Sequence, residues 1–184
     1  MRNKFFTLFI FAIALWMSSC QPKNELLYLG KDGFYYSPQF AFKAWFPHRP
    51  DIQSSEITVK DTLKVPFTSF MYNDDTWGVG LSVAEYPANF VSDTLAVLKA
   101  AESGMFKAMQ VTKLAEDIKL KPVPAITFSA TGAEHGLVGL VLYYDNKLYQ
   151  LMVVDVNDVP DTSLVNKFIG NFAIVENLKN KKND

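Results

Sequence analysis

Side chains capable of acid–base or nucleophilic chemistry form no recognisable catalytic pattern in this chain. The two histidines, His48 and His135, have no catalytic partner at a diagnostic spacing. No Gly-x-Ser-x-Gly turn is present to expose a nucleophilic serine. We therefore predict no catalytic residue. Glycoside hydrolysis by two facing carboxylates is unsupported rather than excluded, because the sequence does not show which acids face each other. His48 is expected to cap or line the surface after a strand, and His135 to lie in a polar turn over residues 132–136.

Oxygen ligands cluster in one segment, residues 155–161, which reads DVNDVPD. A calcium loop of the EF-hand type requires glycine at its sixth position and an acid at its twelfth. Counted from Asp155, those positions hold Pro160 and Asn166. The pattern therefore predicts a solvated loop whose polar side chains cap the next helix, with no metal site and no cofactor.

The only cysteine, Cys20, follows a segment typical of a secretory signal peptide. Arg2 and Lys4 precede an apolar run over residues 5–17. That run is shorter than the roughly 20 residues that a membrane-spanning helix needs. It therefore predicts targeting rather than anchoring.

The residues before the cysteine, Met17-Ser18-Ser19-Cys20, resemble the lipobox of bacterial lipoproteins, with Met17 where leucine is usual. The resemblance implies removal of residues 1–19 as a lipoprotein signal peptide and acylation of Cys20. Acyl chains on Cys20 would anchor the protein in a membrane of the bacterial cell envelope. The alternative is an ordinary signal peptide cut elsewhere, with Cys20 removed or left as a free thiol. In lipoproteins of enteric bacteria, an aspartate directly after the acylated cysteine resembles a signal for retention in the inner membrane. The residue at this position is Gln21, which favours the outer membrane.

Composition excludes one class of partner and outlines one domain. Eighteen basic and nineteen acidic residues give a net charge of −1, so the chain lacks the positive charge that binds nucleic acid phosphates. Polar composition predicts an acylated tether over residues 20–33 and a polar tail over residues 176–184. The folded domain is predicted over residues 34–175.

Hydrophobic periodicity predicts an α+β fold with a mainly antiparallel sheet. Phe40, Phe42, Ala44 and Phe46 alternate onto one face of an extended segment. Two hairpins are predicted, residues 66–72 with 77–86 and residues 137–144 with 148–156. One long amphipathic helix is predicted from a cap at Ser92-Asp93 to Met109, and a second after residues 160–163. The prolines at 122 and 124 confine their neighbourhood to a loop or a sheet edge.

Two features of the strands bear on how the layers pack. In the strand that begins at Trp77, the small residues Gly78, Gly80, Ser82 and Ala84 share one face, which would let a helix approach closely. Residues 137–144 and 148–156 are apolar on both faces. A sheet with such central strands needs a cover on each side, so we expect helices to flank it.

Three segments together resemble the PsbP/Mog1-like family of small domains: residues 40–47 with Pro50 soon after, residues 77–87, and residues 146–153, NKLYQLMV. The resemblance implies an antiparallel sheet between helices, an α/β/α sandwich. It also implies an accessory or binding role, with no shared catalytic residue to carry over. The family's usual Gly-Tyr-Pro-Gly is replaced by Lys121-Pro122-Val123-Pro124, so the sheet edge there is expected to differ.

These observations favour a non-catalytic, membrane-anchored envelope lipoprotein that binds another envelope protein or assists an assembly. The alternative is a lipoprotein that binds a small molecule or lipid in an apolar pocket between the sheet and the long helix, with Met105 and Met109 in its wall. Five aromatic residues could line a ligand groove or a partner surface, although we expect them to be core residues: Trp45, Trp77, Tyr143, Tyr144 and Tyr149.

Overall fold

The computed structural model describes residues 26–59, 62–156 and 159–175. The predicted signal peptide, Cys20 and the predicted tail over residues 176–184 lie outside these ranges. Among the described residues, no helix is both long enough and apolar enough to cross a membrane.

The described chain consists of eleven strands, two helices and one π-helical turn. In chain order they are β1 (Tyr28–Leu29), β2 (Tyr35–Ser37), β3 (Phe42–Ala44), β4 (Asp51–Val59), β5 (Leu63–Asn73), β6 (Trp77–Glu85), α1 (Thr94–Met109), β7 (Thr112–Lys119), β8 (Ala125–Thr131), β9 (Gly136–Tyr144), β10 (Lys147–Asp155), α2 (Thr162–Val165), the π-helical turn (Asn166–Gly170) and β11 (Ala173–Ile174).

The main sheet has seven antiparallel strands in the order β4-β5-β6-β10-β9-β8-β7. The second sheet is small and contains β1, β2, β3 and β11. The prediction of a mainly antiparallel, sheet-rich fold is therefore confirmed. The edge position of β7 also agrees with the prolines that follow it.

Turn chemistry explains both predicted hairpins. Between β5 and β6, the Asp74 carboxylate accepts hydrogen bonds from the Thr76 and Trp77 amides at 2.8 and 3.0 Å. Between β9 and β10, Asp145 and Asn146 have φ angles of 47° and 58°, as a tight two-residue hairpin turn requires. Each turn sets the register of the strands that it joins.

The first core cluster lies between the small sheet and one face of the main sheet. The alternating residues Phe40, Phe42, Ala44 and Phe46 are all buried there, although only residues 42–44 are regular strand. Tyr149 reaches across from β10, and its hydroxyl donates a 2.8 Å hydrogen bond to the Phe40 carbonyl. Phe168 of the π-helical turn is buried in the same cluster.

The second core cluster lies between α1 and the other face of the main sheet. Leu98 and Met105 of α1 are buried against it. The Asp93 carboxylate begins the helix by accepting a hydrogen bond from the Ala96 amide at 3.0 Å, as the predicted cap requires. Gln110, in a left-handed conformation, ends the helix.

The start of the folded domain differs from the prediction. Residues 26–33 were expected to belong to the tether, but Tyr28–Leu29 pairs with β2 and Leu27 is only 2% exposed. A two-residue strand such as β1 gives little periodic signal, so the burial of Leu27 is visible only in the folded chain. The fold therefore begins no later than Leu26, and the tether is shorter than predicted.

A candidate binding groove on the main sheet

The helix covers only part of its face of the sheet. It packs mainly on β8 and β9, so a groove lies beside it over β5, β6 and β10. Met105 of α1 forms one wall of this groove. The groove has a volume of about 120 Å³.

A row of polar residues runs along the floor of the groove. Cross-strand register places Gln53 of β4, Ser69 of β5, Ser82 of β6 and Gln150 of β10 side by side. Because neighbouring strands lie about 4.8 Å apart, the row extends about 14 Å across the sheet. Ser69, Ser82 and Gln150 line the groove itself, and within the described residues none of its lining side chains is charged.

Ser69 is the most unusual residue in this row. It is 3% exposed, and its Oγ has no hydrogen-bond partner within the part of the chain that the structure describes. A buried hydroxyl without a partner costs about 1–3 kcal/mol of stability. A ligand group that pairs with Ser69 Oγ would remove this cost.

Apolar and adaptable side chains flank the polar row. Phe67 lies on one side, and Met71, Gly80 and Met152 lie on the other. A Cβ atom placed on Gly80 would lie 3.0 Å from Met152 Cε, so methionine covers this glycine directly. Methionine is flexible and polarisable, so it adjusts to different partners at low cost. The predicted role of Met105 as a wall residue agrees with this geometry, whereas Met109 packs against the second core cluster.

The opposite face of the sheet carries a second depression, over β7, β8 and β9. Its volume is about 270 Å³, and Ala115, Asp117, Thr127, Ser129 and Val138 are among the residues that line it. Glu116 also lines this depression, and its carboxylate is already paired with two lysines. Within the described part of the chain, none of the other side chains that line the depression has a buried polar atom without a partner. We therefore regard the groove beside α1 as the stronger candidate site.

A cluster of four charged residues joins α1 to the edge strand β7. Glu102, on α1, is buried, with Oε2 lying 3.4 Å from Lys99 Nζ and Oε1 lying 3.9 Å from Lys113 Nζ. Glu116 on β7 pairs with Lys99 and lies 2.6 Å from Lys113. Each carboxylate thus contacts both lysines. The arrangement ties the helix to the sheet edge.

The two histidines occupy different environments. His48 is exposed, with its ring 5.7 Å from that of Tyr72, which agrees with the expected surface position. His135 lies next to the end of α1, where its Nε2 is 2.8 Å from the Met109 carbonyl. The sequence predicts only turn polarity for His135, because the two residues are far apart in the chain.

The acidic loop before α2 behaves as a helix cap where the structure describes it. The Asp161 carboxylate accepts a 2.7 Å hydrogen bond from the Ser163 amide. Hydrogen bonding from the Ser163 hydroxyl, and then from this amide, holds the pKa of Asp161 below its usual value. Asn157 and Asp158 lie outside the described residues. Within the described ranges, no three His, Cys, Asp or Glu side chains are grouped as a metal site would require.

The five aromatic candidates take part in packing. Tyr149 is fully buried, and burial raises the pKa of its hydroxyl. Trp45, Trp77 and Tyr144 pack partly buried against the first core cluster, and Tyr143 packs against the second. None of the five lines the groove, so the expectation of core packing agrees with the structure.

Comparison with protein-family models, with curated proteins and with solved structures finds no match for the chain. The fold therefore defines only a broad class, an antiparallel α+β domain with an apolar groove beside its long helix. The PsbP/Mog1-like resemblance stays a prediction. The groove, the charge cluster and the N-terminal sequence carry the functional interpretation.

Proposed function

We propose that this protein is a non-catalytic lipoprotein of the bacterial cell envelope that binds another envelope protein as an accessory or assembly factor. The observation that supports binding is the groove beside α1, where an unpaired Ser69 hydroxyl lies among adaptable methionines. A partner side chain that fills a desolvated pocket, surrounded by contacts that exclude water, can supply much of the binding energy of an interface.

The size of the groove favours a protein over a small molecule. Pockets that hold a whole small molecule have volumes of about 300–1,000 Å³. The groove has about 120 Å³, enough for one or two side chains of a partner. The depression on the opposite face is larger, about 270 Å³, but it is open rather than enclosed. It therefore gives weaker support to the alternative, a lipid or small-molecule carrier.

Acylated Cys20 would hold the domain close to its membrane. The folded domain begins by Leu27, which is part of the core. Cys20 is six residues before Leu26, the first described residue. Six residues span at most about 20 Å when fully extended. Such a short connection favours a partner that is itself in or near the membrane, and Gln21 favours the outer membrane as the location.

We also propose the PsbP/Mog1-like sandwich as the finer description of the fold. Support comes from the antiparallel sheet, from a long helix that follows the strand beginning at Trp77, and from a short helix after the last hairpin. In this proposal the small sheet and α2 together form the layer opposite α1.

Two experiments test the function. For the anchor, the Cys20→Ala variant should leave the membrane fraction while keeping the thermal unfolding curve of the soluble domain, and Met17→Leu is the control that retains acylation. Unchanged membrane association of Cys20→Ala would refute the anchor.

For binding, Ser82→Leu fills the groove, and Ser129→Leu is the matched substitution on the opposite face. Native mass spectrometry of protein gently extracted from its host membrane should show a stoichiometric protein adduct with wild type and Ser129→Leu, and its loss with Ser82→Leu. A bound lipid or small molecule in place of the protein adduct would support the carrier alternative instead.

A further inference from the structure

We infer that the groove receives an amphipathic α-helix of the partner, which lies beside α1 over β6 and β10 and directs a neutral polar side chain at Ser69. This inference rests on the proposed protein-binding function and specifies the chemistry of the partner.

Layer spacing locates the vacant helix position. Packed helices lie about 8–10 Å apart, which equals about two strand spacings of 4.8 Å. The strand order places β10 and β6 next to β9, and α1 packs mainly on β8 and β9. A second helix beside α1 would therefore lie over β10 and β6, where the groove is.

The residues beneath that position suit close approach of a helix. Gly78 and Ser82, on this face of β6, are small and partly exposed, whereas Met152 covers Gly80 and Ala84 is already buried in the second core cluster. A helix would therefore come near the sheet at Ser82, with the flexible Met152 side chain moving to make room. The chain's own long helix lies elsewhere and reaches the groove through Met105. A partner helix would complete the layer over the half of the sheet that α1 leaves open.

The buried Ser69 hydroxyl determines the polarity of the partner. Its Oγ has no hydrogen-bond partner among the residues that the structure describes, and Ser82 and Gln150 extend the same row. A charged group placed here would lose its hydration without an opposite charge to compensate, so a serine, threonine, asparagine or glutamine of the partner fits better. Apolar residues three and four positions away on that helix would contact Met71, Met105 and Met152.

The experiment uses the full lipidated protein in its own membranes. A photoreactive benzoylphenylalanine replaces Met71 in the groove or, as the control, Thr127 on the opposite face, and mass spectrometry identifies the peptide crosslinked to each. The peptide captured by the Met71 probe is then synthesised, and its affinity is measured against wild type, Ser69→Ala and Ser129→Ala.

The expected result has three parts. The peptide captured at Met71 is amphipathic and gains helical circular dichroism on binding. Ser69→Ala weakens its affinity roughly tenfold, whereas Ser129→Ala leaves it unchanged. In the free protein Ser69→Ala does not reduce thermal stability, because the hydroxyl that it removes has no partner there.

Other outcomes separate this inference from the proposed function. A captured peptide that stays extended, or whose affinity is unchanged by Ser69→Ala, would contradict the inference of a helix that contacts Ser69. The proposal of protein binding would still stand. Capture by the Thr127 probe alone places the partner on the opposite face and also overturns the helix. A Met71 probe that reacts only with lipid overturns both.

Discussion

Lys113 and Glu116 pair side by side on the helix-facing side of β7, with 2.6 Å between Nζ and Oε2. In a regular strand two residues three positions apart point to opposite faces. A β-bulge between Lys113 and Ala115 inserts the extra residue that brings them onto the same face. Leu114, at the bulge, is consequently 57% exposed.

The bulge lets two similar sequences, Lys99-x-x-Glu102 and Lys113-x-x-Glu116, form one cluster. In the helix, residues three apart are neighbours, so the first pair forms directly. The second pair needs the bulge. The sequence shows both spacings, but strand periodicity by itself would have placed Glu116 away from the helix.

Glu102→Gln leaves Lys99 and Lys113 with one carboxylate between them. It should destabilise the fold by about 1–3 kcal/mol, less than the roughly 3–5 kcal/mol of a fully buried pair, because both lysines are partly exposed. Glu56→Gln is the control, since Glu56 and Lys64 form an exposed pair at 4.0 Å and such pairs contribute about 0–1 kcal/mol. Urea denaturation measures both. Equal effects of the two substitutions would show that burial of the cluster adds nothing to stability.

Two glycines should respond to alanine with opposite signs. A Cβ on Gly139 would lie 2.5 Å from Phe128 Cε2, so Gly139→Ala should cost about 1–3 kcal/mol by displacing the ring. Gly104 lies in α1 with no atom near its Cβ position, so Gly104→Ala should stabilise by about 0.5–1 kcal/mol. Thermal unfolding of the two variants tests this. A stability gain at Gly139 would contradict the close contact with Phe128.

His135→Ala should cost about 1 kcal/mol, because it removes the hydrogen bond to the Met109 carbonyl at the end of α1. Amide hydrogen exchange should quicken over the last turn of the helix more than elsewhere. His48→Ala is the matched control, and we expect a change within about 0.5 kcal/mol there because His48 is exposed. Unchanged exchange at residues 105–109 would exclude a capping role.

Acid should weaken the β5–β6 hairpin through Asp74. Burial by itself raises the pKa of this carboxyl, but hydrogen bonds from the Thr76 and Trp77 amides and the Thr76 hydroxyl outweigh burial and hold the pKa below 3.8. A pKa that is lowered in the folded state stabilises the fold above pH 3.8. That contribution is lost as the pH falls through the lowered pKa.

Asp74→Asn removes this titration, so the free energy of unfolding should fall less steeply below pH 3.8 than it does in wild type. Thr76→Val is the comparison variant, because it keeps the carboxylate and both amide hydrogen bonds and should retain most of the slope. Urea denaturation at a series of pH values gives the two slopes. An Asp74→Asn slope equal to that of wild type would contradict the prediction.

The amino-acid sequence determined the features that depend on neighbouring residues. Alternation placed Phe40, Phe42, Ala44 and Phe46 on one buried face, turn residues set both hairpins, and Asp93 began α1. Each of these follows from side-chain periodicity or from a hydrogen bond within a few residues. The chemistry predicted for Cys20 is likewise local, and it stays a prediction.

Only the tertiary structure decided which parts of the sheet are covered and which are open. The small side chains on one face of β6 predicted that a helix would pack there, yet α1 packs mainly over β8 and β9. The groove therefore lies over β5, β6 and β10, and Ser69 Oγ in it has no partner within the described residues. The burial of Leu27 and the pairing of Glu102 with Lys113 were equally invisible in the sequence. The physical reason is the same in each case: these contacts join segments far apart in the chain, and strand order and the bulge in β7, rather than local propensity, bring them together.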